Sequence, residues 1–124
     1  MQEPTFLVLA ALATETLHGY GLIQAVADLS GGKVELRAGT LYPALDRLTD
    51  AGLVDLDREE VVEGRLRRYY RLTDAGADRL AEETQRLRRN ADAASTRLAT
   101  RADAARAAKA AVTGANRPRR LAPG

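Results

Sequence analysis

The 124-residue sequence predicts a mainly α-helical fold with a small two-stranded β-hairpin and a long C-terminal helix. Three observations predict it. Three short segments with helical apolar spacing come first, two alternating segments joined by a glycine turn follow, and a heptad repeat begins near residue 73. Apolar residues make up 45% of the chain but aromatic residues only 4%, so the core must be aliphatic and modest in size.

The first two predicted helices are short and apolar. The first extends from about Pro4 to Ala13, with the proline in the first turn, where its missing N–H costs little. The second extends from about His18 to Leu29, and Leu22 and Val26 fall on one face of it. The run Ser30-Gly31-Gly32 ends this helix, because glycine is the usual residue after a helix C-terminus.

The third predicted helix has two contrasting faces. Thr40 is a suitable N-cap, which places Pro43 in the first turn, where proline is tolerated. The core stripe consists of Leu41, Leu45 and Leu48. The opposite stripe is small, polar and lightly charged, and consists of Thr40, Pro43, Ala44 and Arg47. Gly52 closes the helix after Ala51.

Two strand candidates follow, Leu53 to Arg58 and Leu66 to Leu72, with Glu63-Gly64-Arg65 as the turn between them. Alternation along the second strand puts Arg67 and Arg68 on opposite faces. Two strands are not stable alone in water, so they must pack against the helices. Three helices followed by a hairpin therefore predict a winged helix-turn-helix, with the hairpin as the wing.

We expect this winged domain to cover residues 1–72 and a single long helix to cover residues 73–112. The apolar residues of the long helix alternate by three and four, which is a heptad seam. A domain of this size is too small to bury the whole seam, so the seam predicts dimerisation, with a solvated alanine-rich helix as the alternative. The residues assigned to dimerisation are Leu80, Leu87, Ala91, Ala94 and Leu98.

Charge is distributed unevenly along the chain, although the net charge is only +2. Residues 1–50 hold three basic and six acidic side chains, whereas residues 101–124 hold six basic and one acidic. Gly114 and Pro118 are expected to stop any helix, so residues 113–124 are predicted to be a basic, disordered tail. Local arginine clusters on a weakly charged chain favour contact with a polyanion through patches.

Composition excludes several classes of function. The absence of cysteine rules out disulfides, thiolate zinc sites and a cysteine nucleophile, and a single histidine argues against a multi-histidine metal site or a Ser-His-Asp triad. The longest apolar run, Phe6 to Ala13, is far shorter than the roughly 20 residues of a membrane span, and no basic segment precedes it as in a secretory signal. We therefore expect a cytoplasmic protein that is not an enzyme and that uses no metal or cofactor.

Short motifs over residues 5–76 form an ordered set. They are His18-Gly19-Tyr20, Gly39-Thr40-Leu41-Tyr42-Pro43-Ala44-Leu45, Arg47-Leu48, Ala51-Gly52-Leu53-Val54, Gly64-Arg65, Arg67-Arg68-Tyr69-Tyr70, Leu72-Thr73 and Gly76. Each motif is weak alone, but together, at these spacings, they resemble the N-terminal domain of PadR-type transcriptional regulators. The resemblance implies a homodimeric winged-helix repressor of a nearby operon, in the short form with one C-terminal dimerisation helix, often released by a small-molecule effector.

Candidate DNA contacts lie on three of the predicted elements. The side chains on the outer stripe of the third helix are small enough for the helix to enter the major groove, which is about 12 Å wide. Arginines flank the glycine turn of the wing, where they can contact phosphates. The candidates are Tyr20, Thr40, Tyr42, Pro43, Arg47, Arg65, Arg67 and Arg68. The alternative for Tyr42 is packing against the wing, and at least one wing arginine is expected to pair with the glutamates of the hairpin. We favour Arg65 and Arg67 as DNA contacts, and expect His18 to bond locally.

These features lead to a dimer that binds a pseudo-palindromic operator in double-stranded DNA, with recognition helices about 34 Å apart. The alternatives are a small-molecule-binding dimer or a protein-interaction dimer in which the winged domain is vestigial. Some relatives stack aromatic drugs between their dimer helices, but this chain has no aromatic residue after Tyr70, so such a pocket is not expected here.

Overall fold

The computed structural model of the protein describes residues 1–116. The elements in chain order are α1 (Glu3–Ala11), β1 (Leu17–His18), α2 (Gly19–Leu29), α3 (Ala38–Asp50), β2 (Val54–Val62), β3 (Arg65–Leu72) and α4 (Asp74–Asn116). The small antiparallel sheet among helices and the long C-terminal helix confirm the predicted fold class. Residues 1–85 form one compact unit, and the chain from residue 86 onward forms a second. No helix in the described range is both long and apolar enough to cross a membrane.

An aliphatic core joins the first three helices to the sheet. The fully buried side chains are Val8 and Leu9 from α1, Leu22 and Val26 from α2, Leu41 and Leu45 from α3, and Val54 from β2. Burying each such side chain stabilises the fold by about 1.5–3 kcal/mol. The helical stripes predicted from spacing in α2 and α3 face this core, so the opposite face of α3 is left towards solvent.

The start of α3 differs from the prediction. The helix begins at Ala38 with Arg37 at the N-cap, and the Arg37 carbonyl accepts hydrogen bonds from the N–H groups of Thr40 and Leu41. The prediction that Thr40 is the N-cap was therefore wrong. Leu36 and Leu41 occupy the two positions that a hydrophobic staple joins around an N-cap, and both are buried in the core. Burial of this pair sets the start of the helix, although Arg37 supplies no side-chain cap.

The rest of α3 agrees with the sequence except at one residue. Ala44, assigned to the outer stripe, is buried instead, because it lies beside Leu45 and Leu48 at the edge of the core stripe. Gly52 follows the C-cap Ala51 with φ +75°, which confirms the predicted glycine stop.

The sheet has three strands in the order β1-β3-β2, so the wing has a third strand at its base that the sequence did not predict. Leu17 and His18 of β1 pair with Tyr70 and Tyr69 of β3. Glu63 and Gly64 form the turn between β2 and β3 as predicted, whereas Arg65, also assigned to the turn, belongs to β3. Glu63 and Gly64 both have positive φ, as a type I′ hairpin turn requires.

β2 extends beyond the predicted end at Arg58 and reaches Val62. Its additional residues include two glutamates, which usually disfavour strands. The register places Glu59 opposite Arg68 and Glu60 opposite Arg67, and opposite charges in directly facing positions stabilise an antiparallel pair. The long wing is thus supported by cross-strand charge as well as by backbone hydrogen bonds.

α4 begins at Asp74 and is capped by Thr73, whose hydroxyl accepts a 3.0 Å hydrogen bond from the Gly76 N–H. The helix runs to Asn116, so the expectation that it ends by residue 112 was wrong. One glycine within a helix costs only about 1 kcal/mol, which is why Gly114 does not end it. Residues 117–124, the remainder of the predicted basic tail, lie outside the described residues.

The seam residues of α4 lie in two different environments. Leu80 is half-buried and packs against the core of its own winged domain. Leu87 and Leu98 are 39% and 64% exposed, and Ala91 and Ala94 are exposed as well. Four of the five assigned dimerisation residues therefore present an apolar surface in the single chain.

Candidate nucleic-acid interface

An open groove of about 540 Å³ lies between the N-terminal ends of α2 and α3 and the wing. The residues that line it are His18, Gly19, Tyr20, Tyr42, Arg65, Leu66, Arg67 and Arg68. Five of them are sequence-predicted DNA contacts, so the fold brings together side chains separated by up to 48 positions in the chain. All of these residues belong to the unit formed by residues 1–85.

Of the predicted contacts on α3, Tyr42 lines this groove, and Thr40, Pro43 and Arg47 lie outside its lining. Thr40, Tyr42, Pro43 and Arg47 are all exposed along the helix, as the predicted DNA contacts on α3 should be. Arg47 forms no salt bridge among the described residues, so its guanidinium is available to an anion. Thr40 lies in the first turn, where the helix dipole and free N–H groups favour a phosphate.

Tyr42 rests on the backbone of Gly19. A methyl group added at Gly19 would lie 2.4 Å from the Tyr42 Oη atom and 2.9 Å from Cζ, so any larger residue would displace the tyrosine ring. The tyrosine ring therefore stands on the N-terminal end of α2 and is still 46% exposed. Tyr42 therefore packs against α2, and it also lines the groove beside the wing. Tyr20, which follows Gly19 in the chain, is 68% exposed and lines the same groove.

The three wing arginines differ in their partners. The Arg68 Nε atom lies 3.3 Å from the Glu59 Oε1 atom across the hairpin, which confirms that at least one arginine pairs with a hairpin glutamate. Among the described residues, neither Arg65 nor Arg67 forms a salt bridge. A guanidinium without an anionic partner at the mouth of a groove is well placed for a phosphate. The alternation that separates Arg67 from Arg68 thus leaves the preferred DNA contacts unpaired.

Arg58 is an organising residue that the sequence analysis missed. Its Nε donates a 2.7 Å hydrogen bond to Glu60, and one terminal nitrogen donates to Asp57 at 2.8 Å and to the Thr16 hydroxyl at 3.1 Å. Its guanidinium also lies 4.1 Å from the centre of the Tyr69 ring, a cation–π contact. The hydrogen bond from Arg58 lowers the pKa of Glu60, which stays ionised and engaged. The Glu60 carboxylate therefore pairs with Arg58 and not with Arg67, although Arg67 lies directly opposite it in the register.

His18 caps α2, which confirms the expectation that it bonds locally. Its Nδ1 atom accepts a 3.3 Å hydrogen bond from the Gly21 N–H, so the remaining ring proton is on Nε2. The ring meets Tyr69 edge-on at 5.3 Å and stacks with Tyr20 at 6.5 Å between centroids. This cluster joins the start of α2 to β3 and so fixes one wall of the groove to the wing.

We expect the protein to lose stability as the pH falls from about 7.5 to 5.5. Burial lowers the pKa of His18 below its ordinary value, and the charge of Arg67 lowers it further. The unfolded chain then takes up the proton at higher pH than the folded one, so stability is greatest above the ordinary histidine pKa and falls as pH drops through it. Protonation also removes the Nδ1 acceptor that caps α2. Urea unfolding at several pH values measures this change.

The control for that experiment is His18→Asn. Asparagine is a good N-cap and does not titrate, so the variant should show a smaller loss of stability over the same pH range. Equal pH dependence in both proteins would contradict the assigned role of His18.

A helix with an accessible outer face and an arginine-bearing wing beside it define a winged-helix DNA-binding protein. Residues 8–82 match the model of the transcriptional regulator PadR-like family. The chain belongs to this family, whose members are transcriptional regulators and not enzymes. It is thus a DNA-binding regulator of the PadR type.

Relatives and solved structures agree with this assignment. The transcriptional regulator Rv3488 of Mycobacterium tuberculosis is 40% identical over 80 residues, covering 64% of this chain and 71% of the relative. The crystal structure of the transcriptional regulator TA0346 from Thermoplasma acidophilum has a TM-score of 0.61 at 27% identity, covering 78% of this chain and 90% of that one. The PadR of Bacillus subtilis, solved with operator DNA, shares the fold with a TM-score of 0.60 at 24% identity, over 67% of this chain and 48% of that one.

Proposed function

We propose that the protein is a homodimeric repressor of a nearby operon, that it binds a pseudo-palindromic operator, and that a small-molecule effector releases it. The observation that carries the DNA-binding part is the groove, where Tyr42 of α3 and the unpaired Arg65 and Arg67 line one surface.

The contacts divide between the major groove and the phosphate backbone of DNA. α3 enters the major groove, where Thr40, Tyr42 and Pro43 position the helix and Arg47 reaches a phosphate or a guanine edge. The wing contacts the backbone through Arg65 and Arg67. Arg68 contributes less, since its ion pair with Glu59 must be broken or shared before it meets a phosphate. Tyr20 contacts the phosphate strand beside the N-terminal end of α2.

DNA binding and dimerisation are assigned to different segments of the chain. Residues 1–72 bind DNA, residues 73–112 form the dimer, and the apolar residues Leu87, Ala91, Ala94 and Leu98 are the contact surface with the second copy. Their exposure in the single chain supports this role. An effector acts by binding more tightly to a spacing of the two winged domains that does not fit DNA. Because α4 has no aromatic residue, it offers the effector no ring to stack on.

DNA fragments from upstream of the protein's own coding region test the proposal in a mobility-shift assay at low salt. A discrete complex that survives excess random DNA is expected. If every fragment stays unbound at micromolar protein, the proposed function is wrong.

Arg65→Ala is expected to weaken binding to specific and random DNA alike. The substitution removes one phosphate contact per subunit, and each contact contributes about 0.9 to the slope of log affinity against log salt. Binding titrations between about 50 and 200 mM salt should therefore give a shallower slope. Arg71→Ala is the control, because Arg71 lies on the same strand and is already paired with Asp55 at 3.2 Å. An unchanged slope for Arg65→Ala would remove Arg65 from the interface.

A further inference from the structure

Three acidic residues of β2 lie directly opposite arginines of β3. Asp55 faces Arg71, Glu59 faces Arg68, and Glu60 faces Arg67. Facing residues of an antiparallel pair project to the same side of the sheet with Cβ atoms about 4.5–5.5 Å apart, so long side chains of opposite charge can meet. The first two ion pairs form, at 3.2 Å and 3.3 Å. In the part of the chain that the structure describes, the third pair does not form, so Glu60 and Arg67 are the exception.

The carboxylate of Glu60 is already held by Arg58. These two residues are two positions apart on β2, so both project to the side of the sheet on which Arg67 lies. The Arg58 Nε atom donates to the Glu60 Oε1 atom at 2.7 Å. This hydrogen bond lowers the pKa of Glu60, and the charge of Arg67 lowers it further. Two arginines therefore compete for one carboxylate, and Arg58 holds it.

Other contacts fix Arg58 in this position. One terminal nitrogen donates to the Thr16 hydroxyl at 3.1 Å and to Asp57 at 2.8 Å, and the guanidinium lies 4.1 Å from the centre of the Tyr69 ring. A side chain that such contacts already order loses less conformational entropy when it binds a carboxylate. Arg67 lines the groove and forms no ion pair within residues 1–116. Arg58 is therefore the stronger competitor for Glu60.

We propose that Arg58 is a positioning residue for DNA binding, which keeps Arg67 available to a phosphate by holding the Glu60 carboxylate. Without Arg58, Glu60 would pair with Arg67 across the hairpin, as Glu59 does with Arg68. A guanidinium that already binds a carboxylate must give up that partner before it can bind a phosphate. The inference rests on the proposed function and adds to it a residue that acts on DNA affinity through Arg67.

The test replaces Arg58 with methionine and then removes the competing carboxylate. Methionine keeps an unbranched side chain over the Tyr69 ring but donates no hydrogen bond. An exposed ion pair favours its partners about two- to fivefold, and a dimer would have to break two of them. Arg58→Met should therefore bind the operator about tenfold more weakly, with a shallower salt slope.

Glu60→Gln in the Arg58→Met chain should restore both the affinity and the slope, since no carboxylate is left to pair with Arg67. A merely structural role of Arg58 would not be rescued in this way, because Glu60→Gln returns none of its contacts with Thr16 and Tyr69. Wild-type affinity for Arg58→Met, or the absence of rescue, would overturn the inference.

Glu63→Gln is the matched control, because it changes the net charge as Glu60→Gln does but lies in the hairpin turn, outside the paired register. Both glutamine variants are made in the wild type and in Arg58→Met, so that the coupling of each position to Arg58 is compared. We expect coupling for Glu60 and none for Glu63. Equal coupling at the two positions would show a general effect of charge and would overturn the inference.

The Nε–H signal of Arg67 in a heteronuclear NMR spectrum of the free protein tests the same step without DNA. The signal should shift in Arg58→Met and return towards its wild-type position when Glu60→Gln is added. An Arg67 signal that does not move in Arg58→Met would overturn the inference. Failure of the wild type to bind any DNA, with the shift present, would instead refute the proposed function.

Discussion

Leu87→Asp is expected to convert the protein to a monomer and to weaken operator binding by about two to four orders of magnitude. Leu87 is 39% exposed in the single chain and lies at the centre of the seam. A second copy would bury it, and a carboxylate without a partner in an apolar contact is strongly destabilising. A monomer also cannot bind the two half-sites of the operator at the same time. Sedimentation velocity measures the first effect, and a mobility-shift titration measures the second.

Thr96→Asp provides the control for this experiment. At 100° per residue, Thr96 lies on the opposite side of α4 from Leu87, and it is exposed. The same charge at this position should leave the dimer and the operator affinity unchanged. A stable dimer of Leu87→Asp that binds like the wild type would eliminate the proposed role of the seam.

Helical spacing and glycine stops made most of the fold predictable. The segments that could not be predicted are those that depend on distant partners. β1 is a two-residue strand, too short to show alternation, and it exists because Tyr69 and Tyr70 lie beside it, some 50 residues later. The start of α3 was misplaced because burial of Leu36 outweighed the capping preference of Thr40.

The candidate site was predictable to the extent that alternation and charge define it. Alternation along β3 separates Arg67 from Arg68, and the structure places one beside Glu59 while the other stays unpaired. The role of Arg58 was hidden, because a β-bulge between Leu56 and Arg58 shifts the register and changes which glutamates face which arginines. The contact between Tyr42 and Gly19 also needs the tertiary fold, since spacing in the sequence cannot bring α3 onto the start of α2.

The close approach of α4 to Leu53, in the segment between α3 and β2, depends on Gly76. A methyl group there would lie 2.0 Å from the Leu53 carbonyl oxygen and 2.7 Å from the Leu72 Cδ1 atom. The Thr73 hydroxyl strengthens the same junction, because it donates a 2.7 Å hydrogen bond to the Gly52 carbonyl and accepts one from the Gly76 N–H. Backbone atoms cannot move away as the end of a flexible side chain can, so the contact excludes any larger residue.

Gly76→Ala is therefore expected to destabilise the protein by more than about 3 kcal/mol, although alanine normally favours a helix by about 1 kcal/mol over glycine. Urea unfolding followed by circular dichroism measures the loss. Gly39→Ala is the control, because Gly39 is also helical but has open space around its Cα, so this variant should be as stable as the wild type or more so. If Gly76→Ala were equally stable, Leu53 and α4 could not be in contact.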